Sequence, residues 1–245
     1  MFKLELSDSS VFKNAFKSIA KIVDEVTMTC DSEALRLNCL SRDHITFITM
    51  ELKKELFDSY ECSEPMQIAI DSVEFEKLLK KCKTTDILEI SVDDFNVNLI
   101  FKGDATKKFH LRQIDMEYEN AQPPEVNTPC NISIKSALVD EYIKDMEFYS
   151  DSVNFIVDEN YFKLSTEGNS GNAEIEYIHG ENISEVVKAC FSIPRLKEIF
   201  EASKFSQSVT LGIGTDMPLI VKYELPTGDG HLNYLLAPRL ESDDS

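Results

Sequence analysis

One order of elements, a strand, a helix and then three strands, is predicted four times along this chain, and it constrains the fold more than any other feature. The predicted helices begin at Ser10, Ser72, Ser136 and Ser192, which are 62, 64 and 56 residues apart. A structural unit that repeats at a near-constant spacing is typical of symmetric architectures. The pattern therefore predicts an α+β fold of repeated βαβββ units.

The apolar periodicity of the segments supports these assignments. In the first helix, Phe12, Phe16 and Ile19 recur at helical spacing, whereas segments 26–30 and 35–39 alternate with the period of two that half-buried strands show. We expect two helices to cover one face of the sheets in each domain.

A segment of different composition groups the repeats into two pairs. Residues 115–129 are acidic, lack an apolar period and include the adjacent Pro123 and Pro124, which is typical of an extended linker. We therefore predict an N-terminal domain at 1–114, this linker, a C-terminal domain at 130–240 and a short acidic tail at 241–245.

Composition excludes several classes of protein. The N-terminus lacks the basic start and apolar core of a signal peptide. No apolar run approaches the roughly 18 residues of a membrane span, so no membrane association is expected. The six cysteines include no CxxC pair, which predicts free thiols in a reducing compartment.

A net charge of −19 that was spread evenly over the surface would repel nucleic acid. The charge of this chain is not spread evenly. Seven of the 25 basic residues lie on or next to the first two helices. They are Lys13, Lys17 and Lys21 in the first helix, Lys77, Lys80 and Lys81 in the second, and Lys83 just beyond it. The third helix offers Lys144 among acids, and the fourth offers Arg195, Lys197 and Lys204 beside Glu198 and Glu201.

A lysine-lined helix face has two interpretations. It can be an ordinary solvated face, because lysine is a good surface helix former. It can also contact phosphates without reading base sequence, because lysine is a mobile point charge. The recurrence of such faces at equivalent positions of two repeats favours phosphate contact.

No catalytic constellation is found. The four histidines lie in four different repeats without metal-ligand spacing, and the sequence from Gly212 to Gly214 fails the dinucleotide-binding fingerprint. The adjacent Asp93 and Asp94 fall where a solvated turn is expected. We predict no catalytic residue, metal or cofactor, although an enzyme whose acidic site is assembled in space remains an alternative.

Several segments resemble proliferating cell nuclear antigen, the sliding clamp of eukaryotes and archaea. The residues Gly230-His-Leu-Asn-Tyr-Leu-Leu-Ala-Pro-Arg239 resemble the end of that family's chain. Further matches, in the same order as in the family, are at residues 1–3, 40–47, 57–62 and 216–223. The short segment 180–185 favours an archaeal type.

The resemblance implies two similar domains per subunit and a homotrimeric ring with helices inside and sheets outside. Such a clamp encircles double-stranded DNA without sequence preference and has no catalytic activity. Twelve helices about 10 Å apart would enclose an opening of roughly 28 Å, enough for a duplex. Lys13, Lys77 and Lys80 match positions that face DNA. Further residues are added because they share those helix faces: Lys17, Lys21, Lys81, Lys144, Arg195, Lys197 and Lys204.

The resemblance also implies a pocket for short peptides of replication and repair enzymes. The expected partners are DNA polymerase, the clamp loader, flap endonuclease and DNA ligase. The matching positions are Leu40, His44, Ile45, Phe47, Ala121, Pro123, Pro124, Pro218, Leu235, Ala237, Pro238 and Leu240. Leu235 and Ala121 depart from many relatives, which implies a wider pocket.

Subunits are expected to pair through edge strands that contain Phe109, Leu111, Ile175 and Tyr177, in a head-to-tail contact that closes. The alternatives are a subunit of a heterotrimeric or checkpoint-type clamp and an interaction module that does not bind DNA. The expected location is the cytoplasm, at the archaeal nucleoid, or the nucleus in a eukaryote.

Overall fold

The computed structural model describes residues 1–115, 121–181, 183 and 185–239, and it contains two compact units. The first unit is formed by Met1–Pro123 together with Glu224–Leu232, and the second by Pro124–Tyr223 together with the chain from Asn233 on. In the described residues, no helix is long and apolar enough to cross a membrane.

Apart from one additional strand and a short 3₁₀ turn, the elements before the linker follow the predicted order. They are β1 (Phe2–Leu6), α1 (Ser10–Ile22), β2 (Glu25–Cys30), β3 (Ala34–Leu40), β4 (Thr46–Lys53), a 3₁₀ turn (Lys54–Leu56), β5 (Ser59–Cys62), β6 (Met66–Asp71), α2 (Ser72–Leu79), β7 (Ile87–Val92), β8 (Asn96–Lys102) and β9 (Thr106–Arg112).

The elements after the linker repeat that order. They are β10 (Cys130–Lys135), α3 (Ser136–Met146), β11 (Ser152–Val157), β12 (Tyr161–Gly168), β13 (Gly171–Ile178), β14 (Val187–Ser192), α4 (Ile193–Phe200), β15 (Ser208–Ile213), β16 (Leu219–Glu224) and β17 (Gly230–Leu236).

Each repeat gives its first strand to the other repeat of its pair. In the first unit, β1 pairs antiparallel with β7, placing Leu4 opposite Ile90, and β2 pairs antiparallel with β6. In the second unit, β10 pairs with β15 and β11 pairs with β14 in the same way. Neither repeat therefore completes a sheet from its own strands alone.

In each unit, the two helices pack side by side against one face of these strands. The rings of Phe16 in α1 and Phe75 in α2 meet edge to face with centroids 4.6 Å apart, and neither side chain is exposed. In the second unit, α3 packs against α4, and the Phe155 ring lies 5.3 Å from the rings of both Phe162 and Phe191.

Three details differ from the sequence expectations. A further strand, β5, pairs with β1, and β9 spans Thr106–Arg112 rather than residues 109–114. The helices α2 and α4 end at Leu79 and Phe200, three residues earlier than expected in each case. Tight i to i+3 hydrogen bonds replace the α-helical pattern beyond both ends, so the apolar period continues although the α-helix does not.

The contact between Phe16 and Phe75 leads to a prediction about stability. We expect Phe16→Ala to lower the free energy of unfolding by about 3–5 kcal/mol, because a large ring is removed from a closed core. The matched control is Phe95→Ala, whose ring is 72% exposed and whose loss should cost about 0.5 kcal/mol or less. Urea unfolding at one protein concentration measures both, and equal losses would contradict this packing.

Candidate functional site

Helix α1 separates apolar and basic side chains onto two faces. Phe12, Phe16 and Ile19 are fully buried, whereas Lys17 and Lys21 are exposed. The carboxylate of Asp8 accepts the backbone N–H of Ser10 at 2.9 Å, which helps to start the helix. No acidic residue lies within α1, so the helix itself places no carboxylate beside these lysines.

Lys13 differs from the other two lysines of α1 because it is half-buried. Its Nζ donates a hydrogen bond to the backbone carbonyl of Cys82, in the turn that follows α2. This bond ties the first helix of one repeat to the end of the helix in the next. A lysine ammonium has three donors, so this bond uses one of them.

The lysines of α2 lie beside carboxylates. The N-cap Asp71 accepts the N–H of Glu74 at 2.8 Å, and Glu74 in turn accepts Lys77 at 2.8 Å. The hydrogen bond to Glu74 raises the pKa of Lys77 above its ordinary value. Lys80, just past the helix, lies 2.6 Å from the largely buried Glu76. The exposed pair of Glu74 and Lys77 contributes little stability, and both pairs reduce the positive potential of the face.

Beyond these pairs, Lys81 is exposed in the turn after α2. Lys77, Lys80 and Lys83 are exposed as well, so of the predicted basic residues of the first unit Lys13 alone is half-buried.

The predicted basic residues on the helices of the second unit are each paired with an acid. Lys144 lies 2.7 Å from Asp140, and Arg195 lies 2.8 Å from Glu198. Lys197 of α4 lies 2.6 Å from Glu147, which follows α3. Lys204 is exposed beyond the end of α4, beside a shallow cavity of about 450 Å³ that Lys135 and Gln207 also line.

The ion pairs show which functional details the sequence analysis missed. The spacing of Glu74 and Lys77, or of Asp140 and Lys144, would have revealed those pairs, because residues three or four apart share a helix face. The pair of Glu147 and Lys197 had no such signal, since it depends on how α3 packs against α4. Because the predicted cations on α3 and α4 face carboxylates and α1 contains no acid, the first unit offers the stronger candidate surface for phosphate contact.

Four predicted peptide-binding residues of the first unit lie on or beside the turn between β3 and β4. Leu40 and Ile45 are 38% and 37% exposed, while Phe47 is buried at 5% exposure. Ser41 closes the turn by accepting the N–H of Thr46 at 2.9 Å. His44 has a φ of 58°, in the left-handed region that turns require. The turn thus presents two apolar side chains on a hydrogen-bonded frame.

The other predicted peptide-binding residues are placed as follows. Ala121 and Pro123 belong to the first unit, and Ala121 is half-buried. Pro124, Pro218, Leu235, Ala237 and Pro238 belong to the second unit, where Pro124 is exposed and the rest are half-buried. Leu240 lies outside the described residues.

The C-terminal segment of the second unit is held by Arg239. Its N–H donates to the carbonyl of Cys190 at 2.8 Å, and its guanidinium lies 2.9 Å from Asp151. These contacts fix the backbone that precedes them, at Ala237 and Pro238.

The residues predicted at subunit contacts lie on edge strands. β9 is the last strand of the order β5-β1-β7-β8-β9, and β13 is the first of the order β13-β12-β11-β14. Phe109 and Leu111 on β9 are half-buried, as are Ile175 and Tyr177 on β13. Each strand therefore presents backbone hydrogen-bonding groups and partly covered apolar side chains at a sheet edge.

Within the part of the chain that the structure describes, no group of three or more His, Cys, Asp or Glu side chains is arranged to hold a metal ion. Cys30 is buried and Cys39 is half-buried, and desolvation raises the pKa of both thiols, to about 12 for Cys39. Thiols of this kind are poor nucleophiles near neutral pH.

Two family models match the chain. The model described as proliferating cell nuclear antigen, N-terminal domain, matches residues 1–122, and the corresponding C-terminal domain matches residues 122–239. Proteins named DNA polymerase sliding clamp are similar over their whole length. Those of Methanobrevibacter smithii and Methanothermobacter thermautotrophicus are 46% and 41% identical over 244 residues, covering 100% of both chains in each comparison.

Structural comparison agrees with these matches. The crystal structure of Proliferating Cellular Nuclear Antigen from Entamoeba histolytica matches with a TM-score of 0.91 and covers 98% of this chain and 99% of that one. Sequence identity is 23%, so this similarity establishes the fold.

The bond from Lys13 to Cys82 leads to a prediction that separates structure from surface charge. We expect Lys13→Met to lower the free energy of unfolding by about 1.5–3 kcal/mol, because a hydrogen bond from a charged group is lost between α1 and the turn after α2. The control Lys21→Met removes an exposed lysine from the same helix and should change stability by about 0.5 kcal/mol or less. Chemical denaturation measures both variants, and equal effects would show that the bond does not stabilise the fold.

Proposed function

The chain belongs to the proliferating cell nuclear antigen family, and we propose that it works as a DNA polymerase sliding clamp, a ring that encircles duplex DNA and tethers a polymerase to it. The observation that carries this proposal is the match to both family domains over residues 1–239. The names and the full-length identity of the two methanogen relatives support it.

The charge distribution fits a protein that holds DNA by topology. An acidic chain would bind DNA weakly from outside, because phosphate neutralisation supplies most nonspecific affinity. A ring needs only weak, sequence-independent contacts to phosphates from its inner helices. The lysine face of α1, with Lys17 and Lys21 exposed, supplies such contacts, and no chemical step is required of the clamp.

We propose three copies of the chain per ring, with residues 1–114 and 130–240 as the two clamp domains of each copy. Replication and repair enzymes bind through short peptides, and the exposed Leu40 and Ile45 of the first unit contact the apolar anchors of those peptides. DNA polymerase, the clamp loader, flap endonuclease and DNA ligase are the proposed partners, at the nucleoid in the cytoplasm.

Topological retention predicts a dependence on the shape of the DNA. Clamps loaded onto a closed circular duplex should stay bound through a gel-filtration column, because the circle has no end from which a clamp can slide off. Cutting the circle once with a restriction enzyme should release them, although the total length of DNA is unchanged. The control is a mock digestion with heat-inactivated enzyme, and equal retention on circular and linear DNA would contradict encirclement.

The ion pairs predict that the two units contribute unequally to DNA contact. Lys21→Gln with Lys81→Gln should weaken binding to duplex DNA several-fold and flatten its salt dependence, because exposed cations are lost. Lys144→Gln with Lys197→Gln removes the same charge but should weaken binding less, because both lysines already face carboxylates. Fluorescence anisotropy at two or more salt concentrations measures both variants, and equal losses would argue against an uneven contact.

A further inference from the structure

The short connection between α2 and β7 carries exposed lysines on a backbone that is held from several sides. We call residues 80–86 the lysine turn. Lys81 and Lys83 are exposed, whereas Cys82 and Asp86 of the same turn are buried. The turn therefore combines a cationic outer surface with a buried side that contacts the rest of the unit.

Asp86 is the buried charged group of the lysine turn. Only 3% of this residue is exposed, and its Oδ2 accepts the backbone N–H of Lys83 at 2.9 Å. The Nζ of Lys107, on β9, lies 3.7 Å from the same oxygen. Burial of a carboxylate is unfavourable without such partners. These contacts therefore hold the Asp86 side chain, and the backbone of Lys83 with it, in one arrangement.

The packing on the other side of Asp86 leaves little room for a different arrangement. Gly103 lies in the turn between β8 and β9, and a Cβ atom added to it would be 2.0 Å from Asp86 Oδ1. That distance is far shorter than van der Waals contact, so a side chain at position 103 would displace the carboxylate. The glycine thus makes room for the buried charge.

Two cations from other elements bind the backbone of the same turn. The Nζ of Lys107 donates a hydrogen bond to the carbonyl of Lys81 at 3.1 Å, and the Nζ of Lys13 donates one to the carbonyl of Cys82. Carbonyl groups at the end of a helix lack partners along the helix, and cations are favoured there. Two consecutive carbonyls are therefore each bound by a lysine, one from β9 and one from α1.

We propose that Asp86 is a positioning residue for DNA contact, because it fixes the backbone from which Lys81 and Lys83 reach phosphates. Asp86 itself is buried and contacts no phosphate. A cation on a fixed backbone loses less freedom on binding than one on a loose turn, so it binds more tightly. The inference rests on the proposed ring around DNA, and it assigns to a buried negative charge a role in binding a polyanion.

The sign of one substitution tests this inference. Asp86→Ala removes a negative charge next to two lysines, and from charge alone it would strengthen DNA binding. If Asp86 positions the turn, the variant should instead bind roughly 3- to 10-fold more weakly, because the lysines must then be ordered during binding. Fluorescence anisotropy of a labelled duplex at about 50 mM salt measures the affinity, since screening is weak there.

Asp104→Ala is the matched control for charge. Asp104 is 95% exposed and lies 3.6 Å from Lys83, so its loss removes the same charge beside the same turn without removing a buried contact. This variant should bind DNA as tightly as the wild type or more tightly. If Asp86→Ala behaves in that way too, the inference is wrong.

Gly103→Ala displaces the carboxylate without changing any charge. It should weaken DNA binding in the same direction as Asp86→Ala. The matched control is Gly180→Ala, because no atom lies within 4 Å of the Cβ that it adds. If Gly103→Ala binds DNA as tightly as Gly180→Ala, the position of the carboxylate does not matter for DNA contact and the inference fails.

A double-mutant cycle separates positioning from a general loss of stability. In a chain in which Lys81 and Lys83 are both changed to glutamine, Asp86→Ala should weaken DNA binding by no more than about twofold, because the cations that it positions are gone. A loss as large as that in the wild-type background would mean that Asp86 acts through the fold as a whole, which would overturn the inference.

Circular dichroism checks that each variant is folded, and Gly103→Ala replaces Asp86→Ala in the cycle if the latter is not. The wild type separates the two levels of the account. If it does not bind the duplex at about 50 mM salt, the proposed phosphate contact of the first unit is wrong. If it binds but Asp86→Ala and Gly103→Ala bind equally well, only the positioning role of Asp86 is wrong.

Discussion

The structure depends on the exchange of first strands between paired repeats. Because β1 completes the sheet of β7–β9 while β6 completes that of β2–β4, neither repeat of the first unit can bury its apolar faces without the other. The exchange also places α1 and α2 side by side, with Phe16 against Phe75. Their lysines consequently lie on a shared layer rather than on two unrelated surfaces.

The balance of acidic and basic side chains on each helix determines which helices can attract DNA. The chain is strongly acidic overall, yet α1 contains no acid, and its lysines lie opposite a fully buried stripe. In α3 and α4 the cations are held by carboxylates within 2.6–2.8 Å. A surface of this kind favours DNA at one place and repels it elsewhere, which suits a clamp that must slide without binding tightly.

Much of the fold could be predicted from the sequence because its signals are local. Apolar spacing located all four helices, and the alternation of side chains located most strands, since both depend only on neighbouring residues. The strand β5 was missed because its four residues are never fully buried. The partners of β1 and β2 could not be predicted, since either pairing would bury the same alternating faces and only packing of the helices distinguishes them. Lys80 and Lys81 were placed on α2, but the helix ends at Leu79, where tight turns preserve the apolar spacing.

The central claim is that copies of this chain form a closed ring around DNA. Electron microscopy of the purified protein tests it most directly, because the shape of the particle is seen without any DNA or partner. We expect class averages with threefold symmetry and a central opening of roughly 28 Å, as twelve helices about 10 Å apart would enclose. Compact particles without an opening, or open arcs that never close, would contradict the account.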